Sequence, residues 1–250
     1  ASSIENARLY RRVDRQNRTL RILANLSREY GSILDLDELL TKIAQTLRGL
    51  VQFDAFTIFL VDKERDILKS RFSLRYDKRV TLDSIALSKG ITGASVMLRQ
   101  PVLVADTLQD ERYIASHPEI RSEVAMPLMV HDLIFGVLDL EHSKVGYFTE
   151  DHVRLLTLLA PQIATAVENA RLYEELRQSE RAMEEDLRAA RKLQRVMMPP
   201  RGPKVRGLDI FVKARAAREI SGDVYDFFED GDRYTVVACG DVSGKGAAAA

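Results

Sequence analysis

The residues best suited to chemistry lie near the end of the chain, where two aspartates each follow a glycine: Gly222-Asp223 within REISGDVYDFFE and Gly240-Asp241 within VVACGDVSGKGAAAA. Carboxylates and backbone carbonyls are the donors that hard divalent cations prefer. Asp241 follows the apolar run Val236 to Cys239, so its carboxylate emerges at the end of a rigid strand. Gly244 and Gly246 let the next loop pass close to whatever is held there. The competing reading is an ordinary polar turn between a strand and a helix. A phosphate-cradling P-loop does not fit, because Gly240 to Lys245 is one residue too short and Gly246 stands where Ser or Thr should bind magnesium. The single cysteine, Cys239, excludes a disulfide framework and any Cys-based zinc cluster. His117, His131 and His142 are solitary, and no histidine lies between His152 and Ala250 to serve as a phosphotransfer residue on an output helix.

Composition sets the frame for these residues. At 250 residues and 46% hydrophobic, the chain has room for one large domain or two small ones with a real core. Lys plus Arg and Asp plus Glu both number 37, so no summed field favours nucleic acid or an anionic membrane, and neither is expected as a partner. No apolar run approaches the ~20 residues of a membrane span, and the first residues carry no signal-peptide pattern. A cytoplasmic location is the expectation.

The elements that must position the chemistry follow from periodicity. Ile22, Leu23, Leu26 and Tyr30 have helical spacing up to Gly31. Asp35 then precedes a second helix whose buried face is Leu39, Leu40, Ile43 and Leu47, with Glu38 placed as in a capping box. Phe56 to Val61 and Ile67 to Ser73 read as a hairpin, and further strands are predicted at Val102 to Ala105, Val124 to Val130 and Leu133 to Glu141, the last two joined by a tight His131-Asp132 turn. Residues 75–120 are less regular and suit loops and short helices over one sheet face, where a ligand could be enclosed. Thr149 caps a helix expected from Glu150 to about Met197, stopped by Pro199 and Pro200. Its second half carries Leu172, Leu176, Ser179, Met183, Leu187, Ala190, Gln194 and Met197, a coiled-coil seam with one extra four-residue step, and predicts a homodimer. IENARLY at 4–10 recurs as VENARLY at 167–173, which suggests that residues 1–19 are a signalling helix leaving an earlier module. After Gly202 the pattern returns to strands, at Leu208 to Ala214, Val224 to Glu229 and Tyr234 to Cys239.

Residues 20–170 resemble a GAF domain, through LDELLTKIAQTL, FTIFLVD, LSKGITGASVMLRQPVLVADTLQDERY, IRSEVAMPLMVHDLIFGVLDLEH and FTEDHVRLLTLLAPQIATAVENARLYEEL. The resemblance implies an α+β sensor with a central antiparallel sheet and a role in ligand sensing or dimerisation. In these phrases Gly90 and Gly93 are expected at tight turns, Pro101 at the start of an edge strand, and Asp106 to Asp110 at the cap of a short helix. The Asn-Lys-Phe-Asp-Glu constellation of cyclic-nucleotide-binding members is not recognisable, and residues 1–238 contain no cysteine for a covalent bilin. Haem through one of the solitary histidines, a small ligand of unknown identity, and no ligand at all stay open.

Residues from about 189 onward are similar to the bacterial branch of the metal-dependent protein phosphatases that includes the stage II sporulation phosphatase and sigma-factor regulators. AARKLQRVMMPP, REISGDVYDFFE and VVACGDVSGKGAAAA carry this likeness in order. It implies that Asp223, Asp241 and the carbonyl of Val242 bind two Mn²⁺ or Mg²⁺ ions, which would activate a water for hydrolysis of a phosphoserine ester on a protein substrate of the anti-sigma-factor-antagonist type. Ser221 replaces the first of the family's two usual glycines. The family's other metal aspartates would lie beyond Ala250, so the chain is expected to end inside a truncated α/β sandwich and to be inactive as it stands. The expected layout is an entering helix at 1–19, the sensor at 20–170, a coiled-coil linker at 171–198 and the opening of the phosphatase at 199–250. Two alternatives are a non-catalytic dimeric scaffold and a diguanylate cyclase, the latter weakened by Val224 at the place of an acidic residue.

Overall fold

A computed structural model describes residues 23–115, 117–199, 201–207, 209–213, 223–230 and 234–241. The chain divides into two compact units, Ala1–Glu174 and Glu175–Ala250, each described in turn. The expected entering helix at 1–19 and the IENARLY copy lie outside the described residues.

In the first unit, residues 23–31 form α1, ending at Gly31. Asp35 then caps α2 (Leu36–Arg48): its Oδ1 accepts the Glu38 N–H at 2.9 Å, satisfying one of the donors that a helix start leaves open. Leu39, Leu40, Ile43 and Leu47, spaced on one face, are fully buried. The strands are β1 (Ala55–Asp62), β2 (Ile67–Arg75), β3 (Lys78–Arg79) and β4 (Ile85–Ala86); after helix α3 (Gly90–Leu98) come β5 (Val102–Val104), a 3-10 turn at Thr107–Gln109, β6 (Ser122–Val130) and β7 (Leu133–His142). They build one antiparallel sheet in the order β3-β2-β1-β7-β6-β5, with β4 also paired to β2. The β6–β7 turn places His131 and Asp132 at φ 45° and 63°, the paired left-handed conformation that a two-residue hairpin loop requires.

Strand alternation divides the hydrophobic residues between the two sheet faces. Phe56, Ile58, Phe72, Val124, Leu138 and Leu140 join α2 and the first half of α4 (Glu150–Met197) in the larger core. Phe59, Leu68, Val102, Val104 and Val137 join Ile91 of α3 on the opposite face. Gly90 adopts the expected left-handed backbone, at φ 76°, but Gly93 lies inside α3 and makes no turn. Its missing side chain is a packing requirement: a Cβ there would stand 2.8 Å from the Leu87 carbonyl oxygen.

The helix α4 spans 48 residues, about 70 Å at 1.5 Å per residue. Its buried residues run from Leu156 to Ala170, and beyond them the seam positions Leu172, Leu176 and Met183 are exposed. In the second unit β8 (Asp223–Asp230) and β9 (Tyr234–Asp241) form an antiparallel hairpin. The strand expected at Leu208 to Ala214 does not form over residues 209–213, where no strand pairs with the segment and Phe211 is 86% exposed. Leu208 and Ala214 lie outside the described residues. Among the described helices none is long and apolar enough to cross a membrane.

Candidate functional site

Two sets of acidic residues stand out. The first was invisible in the sequence reading and lies on the α3 side of the sheet. Odd-numbered positions of β6 and β7 face that side, so Glu123, Ala125, Val137, Asp139 and Glu141 share it. Glu123 stands directly opposite Glu141, and Ala125 opposite Asp139, which makes Asp139 the diagonal neighbour of Glu123. Glu123, Asp139 and Glu141 are 4%, 7% and 5% exposed.

Burial raises the pKa of Glu123 well above the carboxylate range, and the charges of Asp139 and Glu141 push it further. Burial does the same to Asp139, with Glu141 adding to it. Glu123 and Asp139 hydrogen-bond to one another, which requires a proton between two acceptor-only groups. Asp139 Oδ1 is nevertheless buried with no hydrogen-bond partner.

The polar character continues across the sheet. Thr57 of β1 is opposite Asp139, and Ser73 of β2 is opposite Thr57; both are buried. Ser73 Oγ lies 2.9 Å from Ser70 Oγ. At the edge of this strip Arg112 is engaged by Asp110 at 2.6 Å, and Arg121 grips Asp106 through two contacts of 3.1 and 2.9 Å. Asp106 also accepts the Leu108 N–H at 3.2 Å, so the expected cap of a short helix is present on a single 3-10 turn. The result is a row of hydrogen-bonding groups set into an apolar face, able to bind a polar molecule or to hold a proton.

The one signal that could have revealed the carboxyls is GVLDLEH, where acidic residues two apart on an apolar strand must share a face. Of the histidines offered for haem, two make contacts within the chain. His142 Nδ1 accepts the Lys144 N–H at 3.0 Å, and its ring stacks on Tyr147 with centroids 3.7 Å apart. His117 Nδ1 accepts the Glu119 N–H at 3.4 Å, and His131 is exposed in its turn.

The second set is the pair singled out by sequence. Asp223 opens β8 and Asp241 closes β9, and the two are direct cross-strand partners, exposed at the open end of the hairpin. Opposed positions share a face with Cβ atoms about 5 Å apart, so the hairpin brings the two carboxylates together. Val242, and with it the third expected ligand, lies outside the described residues. The diguanylate-cyclase reading expects its acidic phrase in a hairpin turn, but Asp223 to Phe227 lie along β8. No group of three or more His, Cys, Asp or Glu among the described residues is arranged to hold a metal. Two carboxylates fit the donor chemistry of Mn²⁺ or Mg²⁺, which retain several waters, and form part of a ligand set.

Comparison with known proteins agrees with the sheet and helix arrangement. The GAF domain family matches residues 33–168. The formate hydrogenlyase transcriptional activator of Salmonella typhimurium is 27% identical over 197 residues, 73% of this chain and 28% of that protein. The probable 3',5'-cyclic phosphodiesterase pde-5 of Caenorhabditis elegans is 21% identical over 188 residues, 69% of this chain and 26% of its own length. The chain therefore spans about a quarter of each of these relatives. Among solved structures, the free methionine-R-sulfoxide reductase from Neisseria meningitidis in complex with its substrate superposes with a TM-score of 0.55 at 22% identity, covering 62% of this chain and 90% of that one. At that identity the likeness is one of fold.

Proposed function

The chain belongs to the GAF domain family, and from that premise we propose that it is the sensing part of a metal-dependent protein serine/threonine phosphatase, in which the GAF domain governs the catalytic domain through α4. The observation that carries the catalytic half is the in-register pairing of Asp223 with Asp241 on a hairpin that follows the helix. In this reading Asp223, Asp241 and the carbonyl of Val242 hold two Mn²⁺ or Mg²⁺ ions. The chemistry such ions supply when bound is activation of water against a phosphate ester and neutralisation of its oxygens. The strands hold the two carboxylates at fixed spacing. The substrate is a phosphoserine protein of the anti-sigma-factor-antagonist type, and the exposed seam on α4 supports a homodimer in the cytoplasm.

A sulfoxide reductase reading finds no thiol to work with, because the only cysteine, Cys239, lies outside residues 33–168. The exposed seam equally supports a non-catalytic dimeric scaffold, and activity decides between the two. The test is Mn²⁺-dependent phosphate release from a phosphoserine protein by the full gene product. Activity that falls by about two orders of magnitude or more in Asp241→Asn is the expected result, on the scale of losing a group that acts on the transition state. Absence of release with Mn²⁺ and with Mg²⁺ would overturn the phosphatase reading in favour of the scaffold.

A further inference from the structure

Residues 143–149 join β7 to α4, and each end of that loop is tied by a histidine. We propose that His142 and His152 form an acid-released latch on this loop, so that a fall in pH is a signal the domain passes to α4.

The first ground is the bonding of the two imidazoles. A backbone N–H can only donate, so a ring nitrogen that receives one carries its lone pair and no proton. His142 Nδ1 receives the Lys144 N–H at 3.0 Å, and His152 Nδ1 receives the Thr149 N–H at 3.2 Å. His152 is the third residue of α4 and bonds back to the residue before the helix, the place that Glu or Gln takes in a capping box. Tyr147 lies between the two rings, its centroid 3.7 Å from that of His142 and 5.6 Å from that of His152, with planes 14° and 17° from parallel. The buried ring of Phe148 meets all three edge-on and joins the stack to the core.

The second ground is that a proton on His142 has a partner waiting. Asp54 Oδ2 lies 3.5 Å from His142 Nδ1 while accepting the Ser143 N–H at 2.7 Å. Against desolvation, the bonds from Ser143 hold the Asp54 pKa low, with His142 and Arg48 adding to them. A proton taken up on Nδ1 removes the acceptor of the Lys144 N–H and gives Asp54 a second donor, in competition with Ser143. The ring changes from holding the loop to loosening it. At His152 a proton on Nδ1 displaces the Thr149 N–H and sets positive charge at a helix N-terminus, where it is unfavourable. The Gly146 N–H, bonded to the Ala105 carbonyl at 2.7 Å, involves no titratable group, so release is confined to the two ends of the loop.

The other charges around the rings are few. Lys144 is on the loop itself, Arg48 of α2 is paired with Asp77, and the first turn of α4 adds Glu150 and Asp151, the latter paired with Arg154. From β6, Ser122 stands opposite His142, and the Arg121 guanidinium is held by Asp106. Burial keeps the His142 imidazole below the ordinary histidine value, with Asp54 opposing and Lys144 assisting. The folded protein therefore binds fewer protons there than the unfolded chain, so the latch is whole above the ordinary value and opens as pH falls through the lowered one.

Hydrogen–deuterium exchange of the full chain, corrected for the intrinsic pH dependence of exchange, tests this at about pH 7.5 and about pH 5, on either side of the ~6.5 of an unperturbed histidine. The expected result is a loss of protection of about tenfold at the Lys144 and Thr149 amides, the scale of one hydrogen bond, with the Gly146 amide unchanged. The imidazole nitrogen chemical shifts should show His142 Nδ1 bare at the higher pH and protonated at the lower. His142→Asn keeps an oxygen that can accept the N–H two residues on, as in an Asx turn, and His152→Gln keeps a capping-box acceptor. Neither replacement titrates, so the combined variant should hold its protection within about twofold across the range. Three results would each overturn the proposal: unchanged protection at either amide of the parent, a His142 Nδ1 already protonated at the higher pH, or the parent's loss recurring in the combined variant. The nitrogen shifts are read in the parent and do not depend on the variant folding. Because the loop itself is read, the result is independent of whether the protein releases phosphate.

Discussion

Buried carboxyls reveal themselves through proton linkage. The folded-state pKa of Glu123 and of Asp139 is raised, so the native protein binds more protons than the unfolded chain, and their contribution favours folding below the ordinary carboxylate range and is lost as pH rises through the folded values. Asp106 goes the other way. Its hydrogen bonds from Arg121 hold its pKa low against desolvation, so its contribution is present above about pH 4 and is lost as pH falls through the folded value. Asp139→Asn should therefore be more stable than the parent at about pH 8, by roughly 1–3 kcal/mol, and the advantage should shrink toward pH 4. Urea denaturation across that range measures it, and a variant less stable than the parent at the alkaline end contradicts the picture. A steric prediction stands beside it. A Cβ on Gly136 would meet the Phe59 carbonyl oxygen at 2.5 Å, and backbone cannot swing aside, so Gly136→Ala should cost about 1–3 kcal/mol or more. Asp223 and Asp241 were legible because Gly-Asp phrases between strand and turn are conspicuous. Glu123, Asp139 and Glu141 were not, because SEVAMPLMV and GVLDLEH read as buried apolar strands and only cross-strand pairing brings the three carboxyls together.

Elements were more legible than sites, for physical reasons that differ along the chain. The cap at Asp35 is local chemistry, needing only an oxygen and the Glu38 N–H three residues on, and it appears as expected. Removing it by Asp35→Ala should cost about 1 kcal/mol, visible as a lower melting temperature without loss of the folded baseline. The β6–β7 hairpin was equally local, its two-residue loop fixed by backbone handedness. The segment around Phe211 was not: its apolar residues suggested a strand, but a strand exists only with a partner, and none pairs with residues 209–213. Glycine's backbone freedom points to a turn at Gly93. In α3 it serves close packing instead, a demand set by Leu87 and Ser88 in space and not by helix periodicity. The second half of α4 showed its exposed stripe from spacing alone. Leu176→Lys combined with Met183→Lys places charges on that stripe and should convert a dimer to a monomer in sedimentation, with helix content retained. A dimer that survives both substitutions would place the interface elsewhere.

At the scale of the whole molecule, the question is whether the sensing domain and the hairpin communicate through the phase of one helix. The sensing unit holds the start of that path firmly: Arg71 on β2 bonds Asp37 of α2 at 2.8 Å and reaches Glu174 of α4 at 3.6 Å, near the last residue of the unit. Downstream of Ala170 no residue of the helix is fully buried. A single residue inserted after Glu185 leaves the Arg71 contacts and the carboxyl face untouched, but advances everything beyond it by about 100°. Seven inserted residues advance it by nearly two full turns and restore the seam to within about 20°. If helix phase sets the output, the one-residue insertion changes the rate of phosphate release and the seven-residue insertion restores the rate of the parent. Phosphate release from a phosphoserine protein, measured in the three full-length proteins, decides it. A parent-like rate in the one-residue variant would mean that the helix is only a tether; an altered rate in both would mean that its length matters and its phase does not.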